Sequence, residues 1–302
     1  MAKETEIAWT HSTFNGWWGC QKAGPGCDNC YAEALDARTG GAHWGPGAPR
    51  RRTGVKNWND PIRWNAKHEE FFALRGCRRR VFTASMSDVF DNAVPLQWRH
   101  DLWDLMESTA QLDWLVLTKR IGNVASWVAA RGLPSHVMLG ATVVSQEEAN
   151  RDIPKLQAVK EAKRFLSMEP LLGPVDLTGL LGGIDWVIVG GESGGGARPM
   201  HPDWVRALRD QCQAAGVPFL FKQWGEWRPM QLDEVPLIKG RNCRLVSNGS
   251  RPTLGDGAFH MAHQLRAMVT DPAYSWQYPV LRVGKAKAGR LLDGVLHDNF
   301  PA

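Results

Sequence analysis

From about residue 80 onward, short apolar runs alternate with stretches whose apolar residues recur at helical spacing. Val81-Phe82-Thr83-Ala84 reads as a strand, and Pro95 to Thr109 as a helix with Leu96, Leu102, Leu105 and Met106 spaced for one face. Trp114 to Thr118 predicts the next strand, followed by a helix around Val124 to Ala130. Then come a strand over Val137 to Gly140, a helix from Gln146 to Ala162 and a strand over Arg164 to Ser167. Trp186 to Val189 is a further strand, Pro202 opens a helix, and Pro218 to Phe221 closes the series. Near-continuous apolar strands separated by helices are the mark of a parallel sheet covered on both faces.

With a first strand near Ile7 to Trp9 or Phe14 to Trp18, the count reaches about seven βα-type units, which predicts a full or partial TIM-like (β/α) barrel. Functional residues in such a barrel sit just past the C-terminal ends of the strands. Those ends read Ser85-Met86-Ser87-Asp88, Thr118-Lys119-Arg120, Ala141-Thr142, Ser167-Met168-Glu169-Pro170, Gly190-Gly191-Glu192-Ser193 and Lys222-Gln223-Trp224-Gly225-Glu226. Charge at so many of them favours a shared site.

Residues 34–80, rich in Gly, Pro and Arg, read as an insertion or long loop after the first helix. From residue 228 to 302 the alternation is lost. A loop around Gly249 to Gly257 and a helix from Ala258 to Met268 are expected there. The division expected is a barrel over 1–227 with an appended C-terminal region over 228–302. Hydrophobic residues at 43% and charged residues at 22% suit a soluble globular chain. No apolar run approaches the ~18 residues of a membrane span, and the first residues lack the apolar core of a secretion signal. A cytoplasmic protein is expected, with its six cysteines as thiols or metal ligands.

The sharpest chemical feature is Cys20, six residues, Cys27, two residues, Cys30. Three thiolates on a loop that contains Gly24, Pro25 and Gly26 can wrap one soft centre, and iron–sulfur clusters and zinc are the natural candidates. A structural zinc site takes four protein ligands, which here would require His11, His43 or a distant cysteine such as Cys77. Cys212 lies four residues after Leu208 and eight after Trp204, the spacing of core packing on a helix. Three cysteines without an obvious fourth point to a cubane cluster with one iron open to a small-molecule ligand.

The cysteine loop does not stand alone. Together with Ser85 to Phe90, Leu117 to Arg120, Ser167 to Leu171, Gly190 to Gly194, Phe221 to Gly225 and Gly289 to Gly294, it resembles the phage and prophage three-cysteine-motif family over nearly the whole chain. That family is similar in turn to the radical S-adenosylmethionine (SAM) superfamily. The resemblance implies a βα barrel, a [4Fe–4S] cluster on Cys20, Cys27 and Cys30, and SAM on the unique iron. It further implies an external one-electron donor and cleavage of SAM to a 5′-deoxyadenosyl radical.

SAM needs hydroxyl or carboxylate partners for its amino group, polar contacts for its ribose and glycine where backbone comes close. Ser85, Ser87 and Asp88 suit the amino group; Thr142, Ser167 and Glu169 suit the ribose or the amino-acid part; Gly190, Gly191 and Glu192 suit SAM or substrate. The glycines from 190 to 196 lack the Lys-Ser/Thr of a phosphate-binding loop. The net charge of +5 is modest, but Arg50, Arg51 and Arg52 form one run and Arg78, Arg79 and Arg80 another. With Lys119 and Arg120 these predict a basic barrel mouth for nucleic acid, where Trp17, Trp18 and Trp44 are candidates to stack on a base. DNA modification or repair is the leading expectation. Radical chemistry on a peptide or small metabolite, and a non-catalytic zinc-bound nucleic-acid-binding protein, are the alternatives.

Overall fold

The computed structural model describes residues 4–231, 233–234, 243–249, 268–271 and 276–301. In chain order the first elements are β1 (Ser12–Phe14), β2 (Trp17–Trp18), α1 (Tyr31–Arg38), β3 (Arg51–Arg52), α2 (Val55–Ala66) and α3 (His68–Arg75). Next come β4 (Arg79–Thr83), α4 (Leu96–Ser108), β5 (Leu112–Thr118), α5 (Val124–Arg131), β6 (Val137–Thr142), α6 (Gln146–Gln157) and β7 (Lys163–Met168). β8 (Trp186–Gly190), α7 (Pro202–Ala214) and β9 (Phe219–Gln223) complete the alternation. Seven strands make one sheet in the order β1-β4-β5-β6-β7-β8-β9, the topology of a partial (β/α) barrel. The pairs β1–β4, β4–β5, β5–β6, β6–β7 and β8–β9 are parallel.

Every residue of β6 and of β8 is buried, as a sheet covered on both faces requires. Gly140 in β6 makes this possible at one point. A Cβ there would stand 2.2 Å from the ring of Phe165, so only glycine lets that ring lie flat on the neighbouring strand.

The chain divides into two compact units, Met1–Thr142, Arg151–Ser167 and Gly182–Asp185 in the first, Val143–Asn150, Met168–Leu181 and Trp186–Ala302 in the second. In the first unit the stretch 34–80, expected as an insertion or long loop, contains regular elements. It holds α2, α3 and β3, which pairs with β2 from before the stretch, Trp17 opposite Arg52 and Trp18 opposite Arg51. Pro61 is buried inside α2, as is Trp64. Helical spacing of Trp58, Pro61 and Trp64 carries the element.

In the second unit, β10 (Trp227–Pro229), β11 (Cys243–Ser247) and β12 (Gln277–Arg282) form an antiparallel sheet in the order β10-β12-β11. β13 (Leu291–Leu292) and β14 (Val295–Leu296) form a hairpin across Asp293 and Gly294, both at positive φ, the turn that Asp-Gly favours. Backbone bonds Phe221 N to His297 O and Asn299 N to Phe219 O then fasten the last residues along β9. The loop expected up to Gly257 and the helix expected from Ala258 fall, apart from Gly249 and Met268, outside the described residues. Among the described residues no helix is long and apolar enough to cross a membrane.

Candidate functional site

In the first unit the cysteine loop is docked onto the end of β4. Gly19 forms a parallel bridge with Ser87, its N–H donating to Met86 O at 3.1 Å. Gly19 sits at φ +109°, and a Cβ there would meet His43 O at 2.5 Å, so the close approach demands glycine. Cys20 O accepts from Gly45 N, Cys27 closes a short 3₁₀ turn (Pro25–Cys27), and Cys30 caps α1. The Tyr31 hydroxyl, just past Cys30, donates to Ser85 O at 2.7 Å. From the other side Asn15 donates to Ser85 Oγ and accepts from Met86 N at 2.8 Å. Ala84, in the left-handed region at φ 68°, turns the chain sharply off β4 to deliver Ser85 to Asp88.

Cys27 is buried; Cys20 and Cys30 are half-buried. Burial pushes the Cys20 thiol up to about 11, with the charge of Asp88 adding to the rise and Arg120 opposing it. Among the described residues no three His, Cys, Asp or Glu side chains are placed to hold a metal ion. A cubane seats each thiolate on a different iron, so its ligand sulfurs do not converge on one point as those of zinc do. The donor set fits such a cluster: three thiols on one loop, a guanidinium nitrogen of Arg120 3.6 Å from Cys20 Sγ, and, on the residue bridged to Gly19, a hydroxyl unpartnered among the described residues.

That hydroxyl belongs to Ser87. Its Oγ is buried with no hydrogen-bond partner among the described residues, and so is Oγ1 of Thr142 at the end of β6. Thr142 pairs in register with Ser167, and Thr118 with Ala141, so the ends of β5, β6 and β7 form one row. Asp88 does not suit the expected role as a free carboxylate for an amino group. It accepts from Phe90 N and Thr118 Oγ1 on one oxygen, and from Lys119 N and Arg120 Nη1 on the other. A carboxylate has about four lone-pair sites, and all are taken.

The expected fourth ligands are accounted for elsewhere. His11 and Cys77 meet each other, Nε2 to Sγ at 3.8 Å, at the start of β4 and therefore at the opposite end of that strand. Burial and three neighbouring arginines lower His11 to about 4. The ring of His43 is held by Asp36 at 2.8 Å. Cys212 is fully buried on α7, its thiol pushed up to about 12 by burial.

Most of the expected phosphate contacts are committed within the unit. Arg50 is a buried ion pair with Asp91 and also donates to the carbonyls of His43 and Ala48. Arg52 pairs with Asp101 and lies over Trp58. Arg78 pairs with Asp113, Arg79 lies 4.0 Å over Phe71, and Arg80 meets His11. Because β4 begins at Arg79, that second run lies a whole strand away from the mouth where it was expected. Trp17 is buried core rather than a stacking platform. Arg51 is exposed and stacks on Trp18 at 4.9 Å.

The second unit has its own strand-end group. Lys222 at the end of β9 pairs with Glu169, and Gly190 leaves room for that carboxylate, whose Oε2 would be 3.1 Å from a Cβ. A Cβ on Gly191 would stand 1.9 Å from Trp224 O, and one on Gly225 2.1 Å from Glu192 O, so the two strand ends touch backbone to backbone. Glu192 is buried and bound by Arg198. Asn15 and Asp91 carry no signal in the sequence that would single them out.

Comparison with known proteins adds the following. A family model described as "Protein of unknown function (DUF5131)" matches residues 4–301. A cysteine–tRNA ligase of Beutenbergia cavernae is 36% identical over 101 residues, 32% of this chain and 21% of that protein. Among solved structures, a cysteine-to-serine mutant of spore photoproduct lyase aligns at 14% identity and a TM-score of 0.39, over 61% of this chain and 56% of its own. A double mutant of the same lyase with bound AdoMet and dinucleoside spore photoproduct aligns at 15% identity and a TM-score of 0.39, over 66% and 60%. The chain thus spans about a fifth of the ligase and less than two thirds of these lyase chains.

Proposed function

The chain belongs to DUF5131, a family of proteins of unknown function, and we propose that it is a radical SAM enzyme whose Cys20, Cys27 and Cys30 hold a [4Fe–4S] cluster. One observation carries this reading. The three-thiol loop is bridged through Gly19 to Ser87, whose buried hydroxyl lacks a partner among the described residues. Unpartnered buried hydroxyls cost free energy and are rare, so two of them at or past the C-terminal ends of β4 and β6, with β5 between, support a polar ligand there.

A cluster and SAM held there would supply reductive radical chemistry. The remaining roles fall to the chain itself. Ser87 and Thr142 offer their hydroxyls to SAM, with Ser85 and Ser167 beside them. Asp88 holds Arg120 against Cys20 rather than holding SAM. Glu169, paired with Lys222, and the glycines at 190 and 191 are the candidates in the second unit. For the substrate we keep nucleic acid, on the support of exposed Arg51 stacked on Trp18 two residues before Cys20. A base within a duplex would have to flip out or arrive single-stranded.

The test is anaerobic incubation of the reconstituted chain with SAM and dithionite. Slow release of 5′-deoxyadenosine and methionine is expected. S-adenosylhomocysteine as the product, or intact SAM, overturns the reading. Anisotropy with single-stranded and duplex DNA across salt concentrations addresses the substrate. Binding that weakens with salt, and weakens further in Arg51→Ala, is expected.

A further inference from the structure

Arg120 serves three acceptors at once. Its Nη1 lies 3.6 Å from Cys20 Sγ and 3.1 Å from Asp88 Oδ2, while Nη2 donates to Gln21 O at 2.7 Å. Its own backbone N–H is held by Thr118 Oγ1 at 2.9 Å. The guanidinium is only 12% exposed and Asp88 only 6%. Because Asp88 is itself fixed by Phe90, Thr118 and Lys119, the arginine cannot swing away from the sulfur without leaving the carboxylate. The other two thiols differ. Cys27 receives a backbone N–H from Ala23 at 3.5 Å, and among the described residues neither Cys27 nor Cys30 has a charged donor.

We infer that Arg120 is a positioning residue that raises the reduction potential of the cluster through Cys20, with Asp88 as its counter-charge. The inference rests on the proposed function, since it presupposes the cluster. Reduction adds one negative charge to a cluster and its thiolates. A fixed cation that donates an N–H to one thiolate stabilises the reduced form more than the oxidised form. The low exposure of the pair leaves that charge weakly screened by salt and solvent. Asp88 opposes the effect and also keeps the fork in place. Sulfur and guanidinium come from positions one hundred residues apart, so no local motif announces the pair.

A purely mechanical strut would hold the loop but would not give charge-dependent shifts of opposite sign. The experiment is therefore potentiometry on the full chain, reconstituted anaerobically with iron and sulfide, without SAM, read by electron paramagnetic resonance. Arg120→Gln is expected to lower the reduction equilibrium constant about tenfold, which for one electron is a shift of about 59 mV. Arg120→Lys, which keeps the charge but loses the fork, should shift it less. Asp88→Asn should shift it the other way. An unchanged midpoint in Arg120→Gln at wild-type cluster content overturns the inference and leaves the proposed function standing. A wild-type chain that takes up no cluster overturns both. Where Arg120→Gln fails to hold a cluster, the other two variants decide: opposite shifts support the inference, and shifts of the same sign or none overturn it.

Discussion

Arg50 and Asp91 form a fully enclosed ion pair, Nη2 to Oδ2 at 2.7 Å, with 1% and 0% of their side chains exposed. Arg50 also gathers the carbonyls of His43 and Ala48, so one guanidinium joins the 43–48 loop to the turn that follows Asp88. Removing one partner of such a pair strands the other charge, which costs about 3–5 kcal/mol. Arg50→Ala should lose that much in urea unfolding, whereas Arg51→Ala, on an exposed side chain, should stay within about 0.5 kcal/mol of wild type. Equal effects of the two substitutions would contradict the assignment.

Ser87 and Asp88 are adjacent but should respond in opposite ways. Ser87→Ala deletes a buried hydroxyl without a partner among the described residues, so stability should hold or rise slightly, while SAM affinity falls by a factor of about 5–10, the worth of one hydrogen bond. Asp88→Ala strands four donors and should destabilise the fold by several kcal/mol. Calorimetric SAM binding and thermal melts on both variants check this. Undiminished SAM affinity in Ser87→Ala would remove that hydroxyl from the site.

How far the sequence reaches depends on the distance over which each residue acts. The strands were legible because burial on both faces leaves a continuous apolar run, as in Trp186 to Val189. Their ends were less so. β5 begins two residues early because Asp113, polar in the sequence, finds Arg78 as a partner. β6 runs on past Gly140 because that glycine accommodates Phe165 instead of ending the strand. The cysteine loop could be read as a candidate because its thiols are local to one another. The contacts of Asn15 and Tyr31 could not, since their partners lie 54 to 71 positions away. The arginine runs misled for the same reason: adjacency shows that charge is concentrated, not which carboxylate or ring will take it up.

His201 introduces a pH dependence of stability. It caps α7, accepting from Asp203 N at 3.1 Å, and its Nε2 is buried without a partner among the described residues. Burial, aided by the charge of Arg206 and opposed by Asp203, lowers it from 6.5 to about 4. The unfolded chain therefore binds the extra proton first, and the contribution is complete above pH 6.5. It is lost as the pH falls from there towards 4, by roughly 3 kcal/mol in all. Urea midpoints at pH 7.5 and pH 5 should diverge more in wild type than in His201→Gln. An identical divergence in both would contradict the assignment.

Metal counting on anaerobically reconstituted protein decides whether the three-thiol loop holds a cluster. Wild type should hold about four irons and four acid-labile sulfides per chain. Replacing Cys20, Cys27 and Cys30 together by Ala should abolish both, and Cys212→Ala should change neither. Stoichiometric zinc without iron, or an iron content unaffected by loss of the three cysteines, would contradict the account.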